Sequence, residues 1–247
     1  MAVITEAELR SKTLGGCVRT FAVPSGAVLT PDARKFAAEK NIVLAEARET
    51  SDHAPMSVDH SMKRGEYRVL ETGETTHEKP EEMTHLHANV LVSKEHPRIA
   101  LRGKLDTLQA LIISLQCDAC AAGDTALVGA LGELLAFSRT LLACEVKEEM
   151  PPETHLFGYD DAQLRERSHD PERSYGVGHM LPDYTMGRLA VSLNYLRTQV
   201  RETELAAARA FPSDSRNGKA IIRALNRMSS AVYLLYCESI KKAGEAK

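Results

Sequence analysis

Aliphatic residues recur at helical spacing over four long stretches of the second half of the chain. Leu105, Leu108, Leu111, Ile112 and Leu115 trace one apolar face and predict a helix over about 101–121. Gly123-Asp124 breaks that pattern. Leu127, Leu131, Leu134, Leu135, Leu141 and Leu142 then predict a second helix over about 125–145, and Pro151-Pro152 ends it. Leu189, Leu193, Leu196, Val200 and Ala207 predict a third over 185–210. Ile221, Ile222, Leu225, Met228, Val232 and Leu235 predict a fourth over 216–242. The connection 153–184 is irregular, with at most one short helix (Asp161–Ser168) and a turn-rich run from Ser174 to Pro182. Long connections within bundles often carry function, which makes this one a candidate lid.

The first half has another texture. Phe21-Ala22-Val23 reads as a short strand before a turn at Pro24-Ser25-Gly26. Thr30-Pro31-Asp32 is an N-cap followed by Pro at the first helical position, so a helix should run to Lys40 and stop at Asn41. Ile42-Val43-Leu44 reads as a second strand. Residues 1–47 are thus expected to form a small module. Residues 48–83 are polar, with His53, His60 and His77 among charges, and are expected to be a linker or loop. Residues 84–247 would form the bundle domain. The fold class expected is mainly α: a helical bundle with a small N-terminal α+β module. Only 5% of residues are aromatic and none is Trp, so aliphatic side chains must fill the core, which suits helices packed on helices.

A net charge of −3 argues against a non-specific nucleic-acid or membrane binder, which would carry a basic excess. No apolar run reaches the roughly 18 residues of a membrane span, and no secretory pattern opens the chain. A cytoplasmic protein is expected. Its cysteines (Cys17, Cys117, Cys120, Cys144 and Cys237) are odd in number and scattered, which reads as reduced thiols.

Chemistry concentrates on the last two helices. Arg197, Arg201 and Glu204 fall at i, i+4 and i+7, one stripe beside an apolar seam. That stripe is either a solvated salt-bridge ladder or one wall of an anion pocket. Asn226 and Arg227, beside the apolar run of the facing helix, favour the pocket, because guanidinium forks match phosphate oxygens bidentately.

Three blocks carry a family resemblance. The first is Thr84-His85-Leu86, then Val92-Ser93-Lys94-Glu95-His96-Pro97-Arg98-Ile99, then Gly103-Lys104-Leu105-Asp106. The second is Leu196-Arg197-x-x-x-Arg201-x-x-Glu204, and the third Leu225-Asn226-Arg227-Met228-Ser229. In this order they resemble the PduO-type ATP:corrinoid adenosyltransferases, most closely their ethanolamine-utilisation branch. Leu29-Thr30-Pro31-Asp32-Ala33-Arg34 is similar to that branch's N-terminal region, so the resemblance covers about residues 20–242.

The resemblance implies a five-helix bundle that transfers the 5′-deoxyadenosyl group of ATP to the Co(I) of a corrinoid and releases triphosphate. Thr84 and Lys94 would grip the phosphates with Mg²⁺. Arg201 and Asn226 would complete the nucleotide pocket and Glu204 would orient it. Asp106 and Arg197 match positions that pair across a subunit boundary, within a homotrimer. His179 stands where the family closes an apolar wall under the corrinoid, in His179-Met180-Leu181-Pro182. A corrinoid reductase and ethanolamine ammonia-lyase would be functional partners, with microcompartment association left open. Members of the branch carry a His and a Cys-Cys-x-x-Cys cluster before the Thr-x-Leu, thought to bind a divalent metal. Residues 48–83 contain no Cys, and Cys117-x-x-Cys120 lies inside a predicted helix, so no structural metal is expected. Other classes remain: a non-catalytic corrinoid or nucleotide carrier, which would not need groups for a leaving triphosphate, or a scaffold using the 1–47 module.

Overall fold

The computed structural model describes residues 3–6, 9, 20–23, 27–40, 42–46, 65–178 and 181–245. The chain divides into two units, 1–56 and 57–247. In the first, β1 (Val3–Ile4) pairs in parallel with β3 (Val28–Leu29), and β2 (Thr20–Val23) with β4 (Val43–Glu46). Helix α1 (Pro31–Glu39) opens as the sequence predicts: Pro31 takes the first turn, and the Thr30 hydroxyl accepts from the Ala33 N–H at 3.2 Å. Ile4, Leu9, Phe21, Val23, Ala33, Ala37 and Ile42 bury one small core. The turn expected at Pro24-Ser25-Gly26 and the stop at Asn41 lie outside the described residues.

The second unit begins with a sheet. Strands β5 (Tyr67–Val69), β6 (Thr75–Thr76), β7 (Met83–His87) and β8 (Val90–Ser93) lie in the order β6-β5-β8-β7. β5 runs parallel to β8, and the other pairs are antiparallel. This corrects part of the loop expected over 48–83, because residues from 65 onward carry β5, β6 and the start of β7. The strands are short and their residues mostly half-buried or exposed, so they never show the apolar alternation that marks a strand. β7 and β8 bury Leu86, Val90 and Val92 in a small core with Ile99 against them, and Val69 of β5 is buried as well.

Helices α2 (Pro97–Ala121), α3 (Thr125–Lys147), α6 (Arg188–Ala210) and α7 (Arg216–Glu245) are the four that periodicity predicts. Between them lie α4 (Asp161–His169), α5 (Pro171–Tyr175) and a 3₁₀ turn at Tyr184–Met186. The four long helices close a ring in which α2 packs on α3 and α6, and α7 on α6 and α3. Lys104 meets Glu202 and Arg188 meets Asp118, so α2 and α6 run antiparallel. α3 therefore ends at the opposite end of the bundle from the start of α6. The connection between them must travel the bundle's length, roughly 35 Å for a helix of this size. It does so with α4 and α5 laid against α7. Leucines and other aliphatic side chains from all four long helices, with Leu156 and Leu164, fill one continuous core.

Local chemistry sets the ends. Asp124 caps α3 by accepting from the Leu127 N–H at 3.0 Å. Asp160 and Gln163 form a reciprocal capping box on α4. The turn from α6 to α7 requires glycine at 218, because a Cβ there would stand 2.4 Å from the Cβ of Phe211. By length and composition α3 is apolar enough to cross a membrane, yet it turns Leu127, Leu131, Leu134 and Leu141 into the bundle core. Cys117, Cys144 and Cys237 are free thiols, but Cys120 is disulfide-bonded, which corrects the expectation that every cysteine is reduced.

Candidate active site

A cleft of about 690 Å³ opens between α6 and α7. Arg197 and Arg201 line it from α6, and Ser229, Ser230, Tyr233 and Tyr236 from α7. Leu181 and Pro182, both exposed at the end of the long connection, border it together with Ser168 and His169. Helical spacing explains the gathering: 197 and 201 are one turn apart, as are 229, 233 and 236. The Arg197 guanidinium donates to Asn194 Oδ1 at 3.2 and 3.4 Å and lies 5.9 Å from the Tyr233 ring centroid. Arg201 is exposed, and no hydrogen bond or ion pair engages it among the described residues. Burial pushes the Tyr233 hydroxyl up to about 12 and raises that of Tyr236, so both stay neutral at ordinary pH. The charge offered to a ligand here is that of the two guanidinium groups.

Next to the cleft, Asn226 Nδ2 donates to Glu204 Oε1 at 3.1 Å, and Arg227 Nη1 donates to Asn226 Oδ1 at 3.0 Å. Arg227 Nε stands 2.9 Å from Asp161 Oδ2, at the start of α4. Arg223, one turn before Arg227, donates through Nη2 to the same oxygen at 2.9 Å and through Nε to Oδ1 at 3.1 Å. The hydrogen bond from Arg223, outweighing burial and helped by Arg227, holds the Asp161 carboxyl below the usual carboxylate range. This arrangement bears on the ladder reading of the stripe. Among the described residues no ion pair joins Arg197 or Arg201 to Glu204, and Glu204 pairs instead with the facing helix, so the ladder is not formed.

A second polar cluster ties the sheet to the bundle. The side chain of Glu145 is fully buried. Arg98 Nε and Arg102 Nε each reach it at 2.5 Å, and Arg98 Nη2 also donates to the Glu145 carbonyl at 2.6 Å. Arg98 Nη1 pairs with Glu148, which ends α3 in a left-handed conformation at φ 59°. Burial opposes charge on Arg98, but the hydrogen bonds to Glu148 and Glu145 outweigh it and hold that guanidinium above its ordinary pKa. Arg102 reaches on to the β7 carbonyls, donating to Leu86 at 2.7 Å and His85 at 3.4 Å. Thr84 therefore sits on a strand whose next two carbonyls are fixed from α2.

The structure thus brings Arg197 with Arg201, and Glu204 with Asn226, while Leu181 and Pro182 of the expected wall face the same cleft. Thr84 on β7, the exposed Lys94 after β8 and the exposed Asp106 on α2 share no side-chain contact or cavity wall with that group among the described residues. His179 lies outside the described residues. Sequence reasoning missed Asp161, Glu145 and the cleft-lining Asn194, Tyr233 and Tyr236. Three of these were findable: Asn194 lies three residues before Arg197, and Tyr233 and Tyr236 continue the stripe of Ser229.

The sequence profile of the cobalamin adenosyltransferases matches residues 74–239, from β6 through most of α7. The chain belongs to the cobalamin adenosyltransferase family. Among curated proteins it is similar to the corrinoid adenosyltransferase EutT of Salmonella typhimurium, 34% identical over 166 residues. That match spans 66% of this chain but 61% of the Salmonella protein. The corrinoid adenosyltransferase EutT of Escherichia coli K12 is 30% identical over 97% of this chain and 92% of its own length. No solved structure matches. The family match begins inside the sheet, whereas the Escherichia coli relative also aligns with the N-terminal unit.

The donor set bears on the metal that the ethanolamine branch implies. Among the described residues no group of three or more His, Cys, Asp or Glu is placed to hold a metal ion. Cys120 has its sulfur in a disulfide, so the Cys117-x-x-Cys120 pair cannot supply two thiolates. His53 and His60 lie outside the described residues.

Proposed function

We propose that this cobalamin adenosyltransferase family member transfers the 5′-deoxyadenosyl group of ATP to the Co(I) of a corrinoid in the cytoplasm, in service of ethanolamine catabolism. The observation that carries the reading is the α6–α7 cleft, where two guanidinium groups, one of them unengaged, stand beside Leu181, Pro182, Tyr233 and Tyr236. A flat apolar macrocycle and an anionic leaving group need such a mixture. In the reaction the Co(I) electron pair forms the bond to C5′, and the C5′–O bond breaks with its pair leaving on triphosphate. Cobalt is its own nucleophile, so the chain need not supply a general base. Its residues position and stabilise. Arg201 and Arg197 meet the charge that grows on the departing oxygen. Asn226, set by Glu204, takes the nucleotide, while Thr84 and Lys94 grip its phosphates. Mg²⁺ enters with ATP, because it binds chiefly through phosphates and waters. The test is an anaerobic optical assay: chemically reduced corrinoid plus Mg-ATP should yield a light-sensitive adenosyl product, and no such product would overturn the reading.

The separation of Thr84, Lys94 and Asp106 from the cleft group supports a homotrimer with each site shared between neighbours. Three head-to-tail contacts close such a ring. Inactive Asp106→Ala and inactive Arg201→Ala subunits, mixed and reassembled, should then regain activity, since some interfaces carry neither defect. Sedimentation as a monomer at micromolar concentration, or no rescue on mixing, counts against this arrangement.

Protein stripped with a strong chelator and resupplied only with Mg²⁺ should keep its activity. Structural zinc or ferrous sites usually draw much of their affinity from thiolates. Residues 48–83 have none. One equivalent of tightly held zinc or iron per chain in untagged protein, with activity lost on its removal, would show that histidines had taken the place of the cysteines.

A further inference from the structure

The carboxylate of Asp161 belongs to no motif, yet a continuous line of side chains leads from it to the nucleotide residues. Asp161 Oδ2 pairs with Arg227 Nε at 2.9 Å, Arg227 Nη1 donates to Asn226 Oδ1 at 3.0 Å, and Asn226 Nδ2 donates to Glu204 Oε1 at 3.1 Å. We propose that Asp161 is a positioning residue for ATP, acting through Arg227 to hold the Asn226 amide in one of its two orientations. The inference rests on the adenosyl-transfer reading above.

An Asn amide is nearly symmetric in shape but not in chemistry: one end accepts and the other donates. Flipping Asn226 would turn its NH₂ toward the Arg227 guanidinium, donor against donor. The same flip would turn its oxygen toward the Glu204 carboxylate, acceptor against acceptor. Both contacts would be lost at once. In the observed orientation one Nδ2–H and one Oδ1 lone pair remain for a ligand, both at fixed positions. The arrangement works only while Arg227 stays put. Its side chain is 12% exposed, and a guanidinium so covered needs a compensating anion. Asp161 is that anion. Without it Arg227 would keep only the neutral Asn226 oxygen among the described contacts.

Asp161 does a second thing, and the test must separate the two. Through Arg223 it also docks the start of α4 on α7. Arg223 is exposed and touches neither Asn226 nor Glu204, so its loss loosens the docking and leaves the line to Asn226 intact.

Steady-state kinetics with ATP and reduced corrinoid varied in turn make the distinction. Asp161→Asn should raise KM for ATP about tenfold, as expected when a covered guanidinium loses the carboxylate 2.9 Å from its Nε, with KM for the corrinoid unchanged. Arg223→Ala should leave both constants near wild type, and Asp161→Glu should recover most of the ATP affinity. In an Asn226→Ala background, Asp161→Asn should add nothing, because the group it positions is gone. Should Asp161→Asn not fold by circular dichroism, Arg227→Gln breaks the same line from the other end and should give the same kinetic profile. An unchanged KM for ATP overturns the proposal. So does an Arg223→Ala profile equal to that of Asp161→Asn, or effects of Asp161→Asn and Asn226→Ala that multiply. Failure of the broader reading looks different: the wild-type protein itself would form no adenosyl product. Loss of the relay alone would leave wild type active and Asn226→Ala impaired.

Discussion

Replacing Arg201 with alanine should cut turnover about 100- to 1,000-fold, the loss of roughly 2.7–4 kcal/mol that follows removal of one oriented donor to developing charge. The bundle should not notice. Arg201 is exposed, and no partner loses a hydrogen bond or ion pair with it among the described residues, so the substitution resembles an ordinary surface change of about 0.5 kcal/mol or less. Activity and stability should therefore separate cleanly: circular dichroism and the unfolding midpoint unchanged, adenosyl product nearly absent. Normal turnover in the variant would remove Arg201 from the site. A lowered midpoint of the same proportion would make it a structural residue instead.

Glu145 should behave in the opposite way. Replacing it with alanine leaves Arg98 and Arg102, whose side chains are 11% and 17% exposed, without the carboxylate between them. Removing one member of a buried charge cluster costs about 3–5 kcal/mol, because Arg102 stays desolvated without its carboxylate and Arg98 keeps only Glu148. For a unit of this size that lowers the melting temperature by on the order of 10 °C. Lys104 and Glu202 serve as the internal control. They stand 3.8 Å apart with side chains 43% and 55% exposed, a separation and setting worth about 0–1 kcal/mol. Thermal or urea unfolding of the two variants measures the contrast, and equal midpoints would show that the Glu145 cluster carries no net stability. The same variant also releases Arg102 from the anchor that aims it at the His85 and Leu86 carbonyls, so β7 loses its tie to α2 along with the stability.

The two residues differ in the same way in how legible they were. Arg201 announces itself, because a cation one turn from another, beside an apolar seam, is visible in any helical projection. The four long helices were legible for the same reason: their aliphatic residues keep helical period over several turns. Glu145 was not, since an acidic residue in a helix reads as solvated until Arg98, 47 residues away, is known to cover it. Asp161 was hidden similarly, as one of several acids opening a short helix. The sheet escaped because its strands are two to five residues long and three of the four carry exposed positions that break alternation. Local periodicity reports what an element does with water. Pairings between distant elements leave no periodic trace.

The cleft draws Arg197, Arg201, Tyr233 and Tyr236 from one helical hairpin, whose two arms are joined across residues 211–215. That placement has a kinetic meaning. Contacts close in sequence require little loop-closure entropy, and a hairpin of helices can zip from its turn. Docking α2 against α6, by contrast, must wait until a chain of about seventy residues has been closed, the span from Asp118 to Arg188. The walls that bear the two arginines are thus encoded in a stretch that can assemble early and by itself, with Gly218 letting Phe211 seat in the turn. Leu181 and Pro182 arrive with the long connection. A partly folded chain would hold the two arginines in place before Leu181 and Pro182 come to rest beside them.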